Sequence, residues 1–289
     1  MISRIIPGLT ELGHKASKKW NAFWFSGLPS AGYSLFRVFH GLTLLLFLAA
    51  WWQHAPEWIG SAGFHFPDEL VPPLPFWALP FFAILQFGTL ILLVAGWKIR
   101  TMATLSWLCL CYVTLADRIS AFSINNIYLF TLIVFAVYPG ATRRRNLMTA
   151  IPVRILQVAM VAIYFSSGWH KAVFGDWLDS PTVLQSVLSG IYMTDSASWA
   201  MHTFAPPFWT LAQYLSLAFE LFSPVLFCAP RLRWLAIAFG CAFHLGIALF
   251  MDQLIYFSLQ MMSFYILFIP WNTRTICSFY SMRIPEPER

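Results

Sequence analysis

Lys171 closes the run Tyr164-Phe165-Ser166-Ser167-Gly168-Trp169-His170-Lys171, in which Tyr164, Gly168 and Lys171 at i, i+4 and i+7 share one helical face. An amine drawn partly out of water releases its proton more readily and can act as a base. Gly168, which has no side chain, lets another group approach the helix just below that amine. The competing reading of Lys171 is structural: a lysine whose stem lies along the helix while its amine reaches the membrane interface. Glu220 is the one acid well inside an apolar segment, and Gln213, Ser216, Glu220 and Ser223 form a polar stripe at helical spacing. His244 lies mid-segment, and Tyr256, Gln260 and Ser263 make a third stripe. A charge at the centre of a membrane span costs roughly 2.5 to 3.5 kcal/mol, so such residues normally face the bundle interior and have partners. The three stripes predict a hydrophilic pocket that opens outward. Its candidate catalytic groups are Lys171, Glu220 and His244, and its candidate substrate-binding groups are Tyr164, Gly168, His170, Arg118, Asn126 and Gln260. Hydrogen bonding between helices, worth about 0.6 kcal/mol per contact, is the alternative for His244 and the third stripe. Arg118 beside Asp117 reads either as a surface ion pair or as the rim of the same pocket, and Arg37 reads as structural or lipid-facing.

Other chemistries find no support in the residue pattern. Cys109, Cys111, Cys228, Cys241 and Cys277 contain no CxxC pair, so neither a disulfide framework nor a metal site is predicted. Gly-rich phosphate loops, nucleophile elbows and paired-His motifs are absent from the sequence.

The elements that position these groups are membrane helices. The chain has 289 residues, 59% hydrophobic and 10% charged, with a mean hydropathy of +0.66. A soluble domain carries about 25% charged residues. Apolar stretches of roughly 20 residues mean helices rather than a barrel, whose strands would alternate apolar and polar. The fold class is therefore an all-α polytopic membrane protein with about eight transmembrane helices. They run approximately over 33 to 53, 76 to 97, 101 to 118, 124 to 139, 152 to 173, 208 to 228, 232 to 251 and 254 to 270. Of the 18 Lys and Arg residues, all but Arg118 and Lys171 fall on one side of that arrangement, which places both termini in the cytoplasm. The net charge of +6 is thus a topology signal and an attraction to anionic membrane lipid, and no nucleic-acid partner is expected.

Residues 1–30 read as a cytoplasmic amphipathic helix on the membrane surface, with Ile5, Leu9, Leu12, Ala16, Trp20, Phe23 and Trp24 on one stripe. A secretory signal peptide is not expected there, because no short apolar core with a small-residue cleavage site follows the basic residues. Residues 31–272 form the transmembrane domain and 273–289 a cytoplasmic tail. The long connections, 54 to 75 and 174 to 207, are predicted to lie outside. In the second, Ser180 and Pro181 read as N-cap and first residue of a membrane-surface or re-entrant lid helix reaching Ile191.

The run Ser34-Leu35-Phe36-Arg37-Val38-Phe39-His40-Gly41 resembles the start of the HTTM domain, the membrane domain of vitamin K-dependent gamma-carboxylase and its bacterial relatives. Tyr164-Phe165-x-x-Gly168-x-x-Lys171, followed by Gly175-Asp176-Trp177-Leu178, is similar to that family's central motif, and Phe243-His244 and Glu220 also have counterparts. The resemblance covers most of residues 30 to 272. It implies an outward-facing site for a reduced, vitamin K-like quinone in a multi-pass plasma membrane protein, here of a bacterial inner membrane. In the carboxylases the lysine matching Lys171 deprotonates the hydroquinone. Oxygen then converts it to an epoxide, and the strong base so formed takes a proton from a peptide glutamate. This chain has Ile127 where the carboxylases carry a His after the Asn pair, and it has no counterpart of their large extramembrane domain. A peptide or protein substrate would then be recognised by the short outer loops or by a partner subunit. Two further function classes stand beside the enzyme: a non-catalytic accessory protein for maturation, export or anchoring of a partner, and a small-molecule transporter. The transporter ranks lowest, because matched halves with Gly/Pro-broken spans are not evident.

Overall fold

The computed structural model describes residues 5–61, 71–116, 123–140 and 147–271. Asp117, Arg118, the Arg143–Arg145 run, Cys277 and the tail from 273 onward lie outside the described residues. The described chain is mostly helical. Six of its helices are long and apolar enough to cross a membrane, which makes this an all-α membrane protein.

The helices are α1 (Ile5–Phe25), α2 (Ser30–Trp51), α3 (Ala55–Trp58), α4 (Leu79–Ala95), α5 (Ile99–Ala116), α6 (Ser123–Val137), α7 (Ile151–Phe174), α8 (Val183–Leu188), α9 (Asp195–Thr203), α10 (Pro206–Cys228), α11 (Arg233–Phe250) and α12 (Ile255–Phe264). Every one of the eight predicted apolar segments is a helix at its expected place. Two are short: α6 has 15 residues, and α12 has 10 before it tightens into a 3₁₀ turn over Tyr265–Phe268. A perpendicular crossing needs about 20 residues, and by length and composition six of the described helices are candidate spans, with α6 and α12 as shorter apolar helices beside them.

The bundle pairs α7 with α10, α5 with α4 and α6, and α2 with α4 and α12. Strands β1 (Gly27–Pro29) and β2 (Leu147–Thr149) pair antiparallel and join the two places where the chain enters α2 and α7. Prolines at the first turns of α4, α7 and α10 need no intrahelical N–H there, so the sequence starts these helices cheaply. The C-terminus of α4 closes with Gly96 at φ 81°, and the Arg37 guanidinium donates to the carbonyls of Leu93 and Val94 beside it. Arg37 is thus buried and structural, holding α2 against the carbonyl end of α4.

Helix α1 leaves Lys18, Lys19, Trp20, Phe23 and Phe25 exposed along its second half and rests against the first turn of α7, where Arg154 Nε donates to the Phe23 carbonyl. The predicted helix from Ser180 begins later than its sequence suggests. Helix α8 starts at Val183 after Thr182, with no side-chain cap. Gln213 accepts from the Leu184 N–H, and its side-chain amide donates to the carbonyls of Trp177 and Ser180, which holds this stretch in turns. A second helix here, α9, is capped by Thr194, whose hydroxyl accepts from the Ala197 N–H.

Candidate functional site

Lys171 lies in the last turn of α7, 17 positions beyond Arg154, hence about 25 Å along the helix from it. Its Nζ donates to Glu220 Oε1 at 2.7 Å and sits 4.6 Å from the centre of the Trp177 ring. Ser167, one turn back on the same face, donates to the same oxygen at 3.3 Å. The amine side chain is 25% exposed and that of Glu220 only 5%. Glu220 Oε2 is buried and has no hydrogen-bond partner among the described residues. The pair therefore has a closed side, the carboxylate, and an open side, the amine.

The close approach of α10 to α7 depends on Gly168. A Cβ there would lie 2.8 Å from Glu220 Cβ and 2.9 Å from the Leu221 backbone nitrogen, closer than side chains pack. Pro224 lies inside α10. Four residues after Glu220, it has no N–H to give the Glu220 carbonyl, so the helical ladder is opened at the turn that carries the acid.

His244 belongs to a neighbouring cluster. Tyr164 hydroxyl lies 2.6 Å from His244 Nε2 and 2.6 Å from the Tyr265 hydroxyl. All three are buried, and His244 Nδ1 has no partner among the described residues. Gly240 makes room for the Tyr265 hydroxyl against α11. Tyr164 and Lys171 share one face of α7, so both clusters lie against the same helix, one below the other. The ring of Phe219, which precedes Glu220 on α10, packs edge-on to Tyr164 with centroids 5.2 Å apart.

The remaining candidates are dispersed. Gln260 is buried and donates to the Ile124 carbonyl at the start of α6. Ser263 and Thr131 hydroxyls flank the two ring nitrogens of buried His40 at 2.8 and 2.9 Å, and Tyr128 donates to Thr43 close by. This His40 network fastens α2, α6 and α12 together. Asn126 is exposed, whereas Asn125 is buried and donates to Thr114. His170 is exposed with its ring against Phe174. The structure brings together Lys171, Glu220 and Gly168, and separately Tyr164 and His244. It does not join the three polar stripes into one chamber: Gln213 and Ser223 bond backbone carbonyls, of the loop before α8 and of Val161.

Sequence reasoning missed Ser167, Trp177 and Tyr265 as members of these clusters. Ser167 and Trp177 carried a signal, since one sits a turn before Lys171 on its face and the other in the Gly175-Asp176-Trp177-Leu178 run. Tyr265 carried none, because an aromatic in an apolar run is most often packing.

Replacing Gln213 by Leu removes three hydrogen bonds that tie the α8 region to α10. It is expected to leave the bundle folded and to release residues 177 to 188 for proteolysis. Limited digestion in detergent, read by peptide mapping, checks this; an unchanged pattern would mean that the apolar cluster of Leu188, Ala200 and Trp209 holds the segment unaided.

Comparison with protein-family models, with characterised proteins and with solved structures gives no match for this chain.

Proposed function

We propose that this protein is a membrane enzyme in which Lys171 accepts a proton from a reduced quinone at the outer end of α7. The observation that carries the reading is the Lys171–Glu220 pair itself. A part-exposed amine is hydrogen-bonded at 2.7 Å to a buried carboxylate whose other oxygen has no partner. Moving one proton along this bond turns ammonium and carboxylate into neutral amine and acid, and low dielectric favours that neutral pair relative to water. The amine that such a transfer to Glu220 would leave is on the accessible side of the pair. Glu220 is then the positioning residue that stores and returns the proton, Gly168 brings it within reach, and Ser167 orients its Oε1. The Trp177 ring forms an aromatic wall beside the amine. The unpartnered carboxylate oxygen and this wall suit a planar, hydroxyl-bearing quinol. When bound, such a quinol would supply an ionisable ring hydroxyl and reducing equivalents for oxygen.

The same reading takes the HTTM resemblance as its frame. The eight apolar helices are all membrane-embedded, α6 and α12 included, with both termini cytoplasmic and Lys171 outside, in a bacterial inner membrane. The asymmetry of the basic residues supports this orientation. The test uses sealed vesicles of both orientations and a membrane-impermeant hydroquinone. Turnover is expected only where the Lys171 end faces the added reagent, and it is expected to vanish in Lys171→Ala. Turnover in the opposite orientation, or undiminished in the variant, would refute the reading.

One observation favours a second reading, that of an accessory protein holding a peptide or protein partner on the outer side. The α8–α9 segment presents Ile191 at 92% exposure and Trp199 at 63%, an apolar surface at the same end as Lys171. Co-purification of a partner that is lost on Ile191→Asp with Trp199→Ser, yet indifferent to Lys171→Ala, would select this reading.

A further inference from the structure

A second charged site lies at the other end of α7. A cavity of about 180 Å³ is lined by Leu28, Tyr33, Arg154, Gln157, Arg233 and Trp271 among others, and no acidic side chain among the described residues lines it. Arg154 enters from the first turn of α7 and Arg233 from the start of α11, and both line the same recess. Both are half-buried. Two like charges brought to one recess are unfavourable unless an anion joins them.

The two side chains are also held in place. Arg154 donates from Nε to the Phe23 carbonyl and from NH1 to Gln157 Oε1, with Phe23 beneath its guanidinium carbon at 4.7 Å. Arg233 donates from Nε to the Phe227 carbonyl and from NH1 to the Phe268 carbonyl. Gln157 is fixed in turn by its own donation to the Leu267 carbonyl. Among the described residues, NH2 of each guanidinium has no hydrogen bond, so each arginine is positioned by one edge and keeps donors for a ligand.

We propose that this cavity binds a phosphate group, gripped by Arg154 and Arg233. The shared chemistry is a tetrahedral oxyanion, for which the planar guanidinium fork is matched. The apolar walls supplied by Leu28, Tyr33 and Trp271 favour a phosphate that carries a glycerol and acyl chains, as in an anionic phospholipid. Basic recesses between helices at the cytoplasmic face commonly hold such headgroups. Helix α1, whose Phe23 carbonyl holds Arg154, would then be anchored from beneath by the lipid. This proposal does not depend on chemistry at Lys171.

The experiment uses the full chain, with Arg154→Gln/Arg233→Gln as the test variant and Arg231→Gln, an exposed neighbour, as the control. Native mass spectrometry from mixed phosphatidylglycerol and phosphatidylcholine nanodiscs counts retained lipid. Thermal unfolding of delipidated protein in neutral detergent reports stabilisation by inorganic phosphate. Retention of phosphatidylglycerol that falls about tenfold or more in the double variant and is unchanged in the control supports a lipid source. Arginine-dependent stabilisation by phosphate without lipid retention supports a soluble one. Arg154→Lys/Arg233→Lys keeps the charge and is expected to recover part of the effect, which separates ligand loss from misfolding. If neither probe binds, or if both bind the glutamine variant as well as wild type, the proposal fails.

Discussion

Lys171→Ala is expected to reduce hydroquinone turnover by about a hundredfold to ten-thousandfold, the range over which a positioned general base contributes. It is also expected to destabilise the protein, because the substitution leaves the Glu220 carboxylate buried with only Ser167 as donor. Breaking a buried ion pair on one side costs about 3 to 5 kcal/mol, and the partial exposure of Lys171 puts this pair at the lower end, about 3 kcal/mol. The double variant Lys171→Ala/Glu220→Gln removes the stranded charge together with its partner. It should regain most of the lost stability and none of the lost turnover. Thermal unfolding and turnover measured on the same nanodisc samples separate the two roles. A double variant as unstable as the single one would show that the ion pair is not the source of the cost. Glu220→Gln alone keeps the amine but removes its proton store, and should weaken turnover without abolishing it.

Gly168→Ala is expected to destabilise the packing of α7 on α10 and to reduce turnover with it. The added Cβ would meet Glu220 Cβ at 2.8 Å and the Leu221 nitrogen at 2.9 Å, and the second of these is backbone that cannot rotate away. Helices α7 and α10 must then separate by several tenths of an ångström. Overpacking of this kind costs about 1 to 3 kcal/mol, and the Lys171–Glu220 bond lengthens with it, so stability and turnover fall together. Gly246→Ala in α11 is the internal control, because a Cβ there has nothing within 4 Å. In a helix interior alanine is better than glycine by roughly 0.5 to 1 kcal/mol, so this variant should be neutral or slightly stabilised. Equal behaviour of the two alanine variants would mean that α7 and α10 are not held at the distance Gly168 permits.

How far the sequence discloses such a site depends on the cost of each residue. Lys171 and Glu220 stand out individually because a charge at membrane depth is expensive and must be explained. Their pairing is not legible, since nothing in the order of the segments says that α7 lies against α10; Gly168 signals a close approach but not by what. Neutral polar residues are cheaper and mislead more easily. Gln213 reads as a pocket wall on the stripe of Glu220, but it ties down the stretch before α8. That tie is also why the helix expected from Ser180 starts only at Val183. His40 draws little notice in the sequence, although it joins three helices through Ser263 and Thr131. Helix α9 was not read, although Thr194-Asp195 offers a capping hydroxyl followed by an acid in the first turn. Arg154 and Arg233 read only as charges on one side of a membrane, and their convergence on a cavity is a property of the tertiary fold. The helices themselves were legible throughout, because long apolar segments have few other ways to satisfy their backbone in lipid. The tightening of the last apolar segment into a 3₁₀ turn after Phe264 was not, as apolar composition runs on past the residues that stay α-helical.

The most direct test of the central claim is to supply purified protein in lipid nanodiscs with a reduced naphthoquinone, oxygen and bicarbonate, and to follow quinone epoxide by mass spectrometry for wild type and Lys171→Ala. Epoxide from wild type and none above background from the variant is the predicted result. Equal epoxide from both, or none from either, would contradict a catalytic role for Lys171.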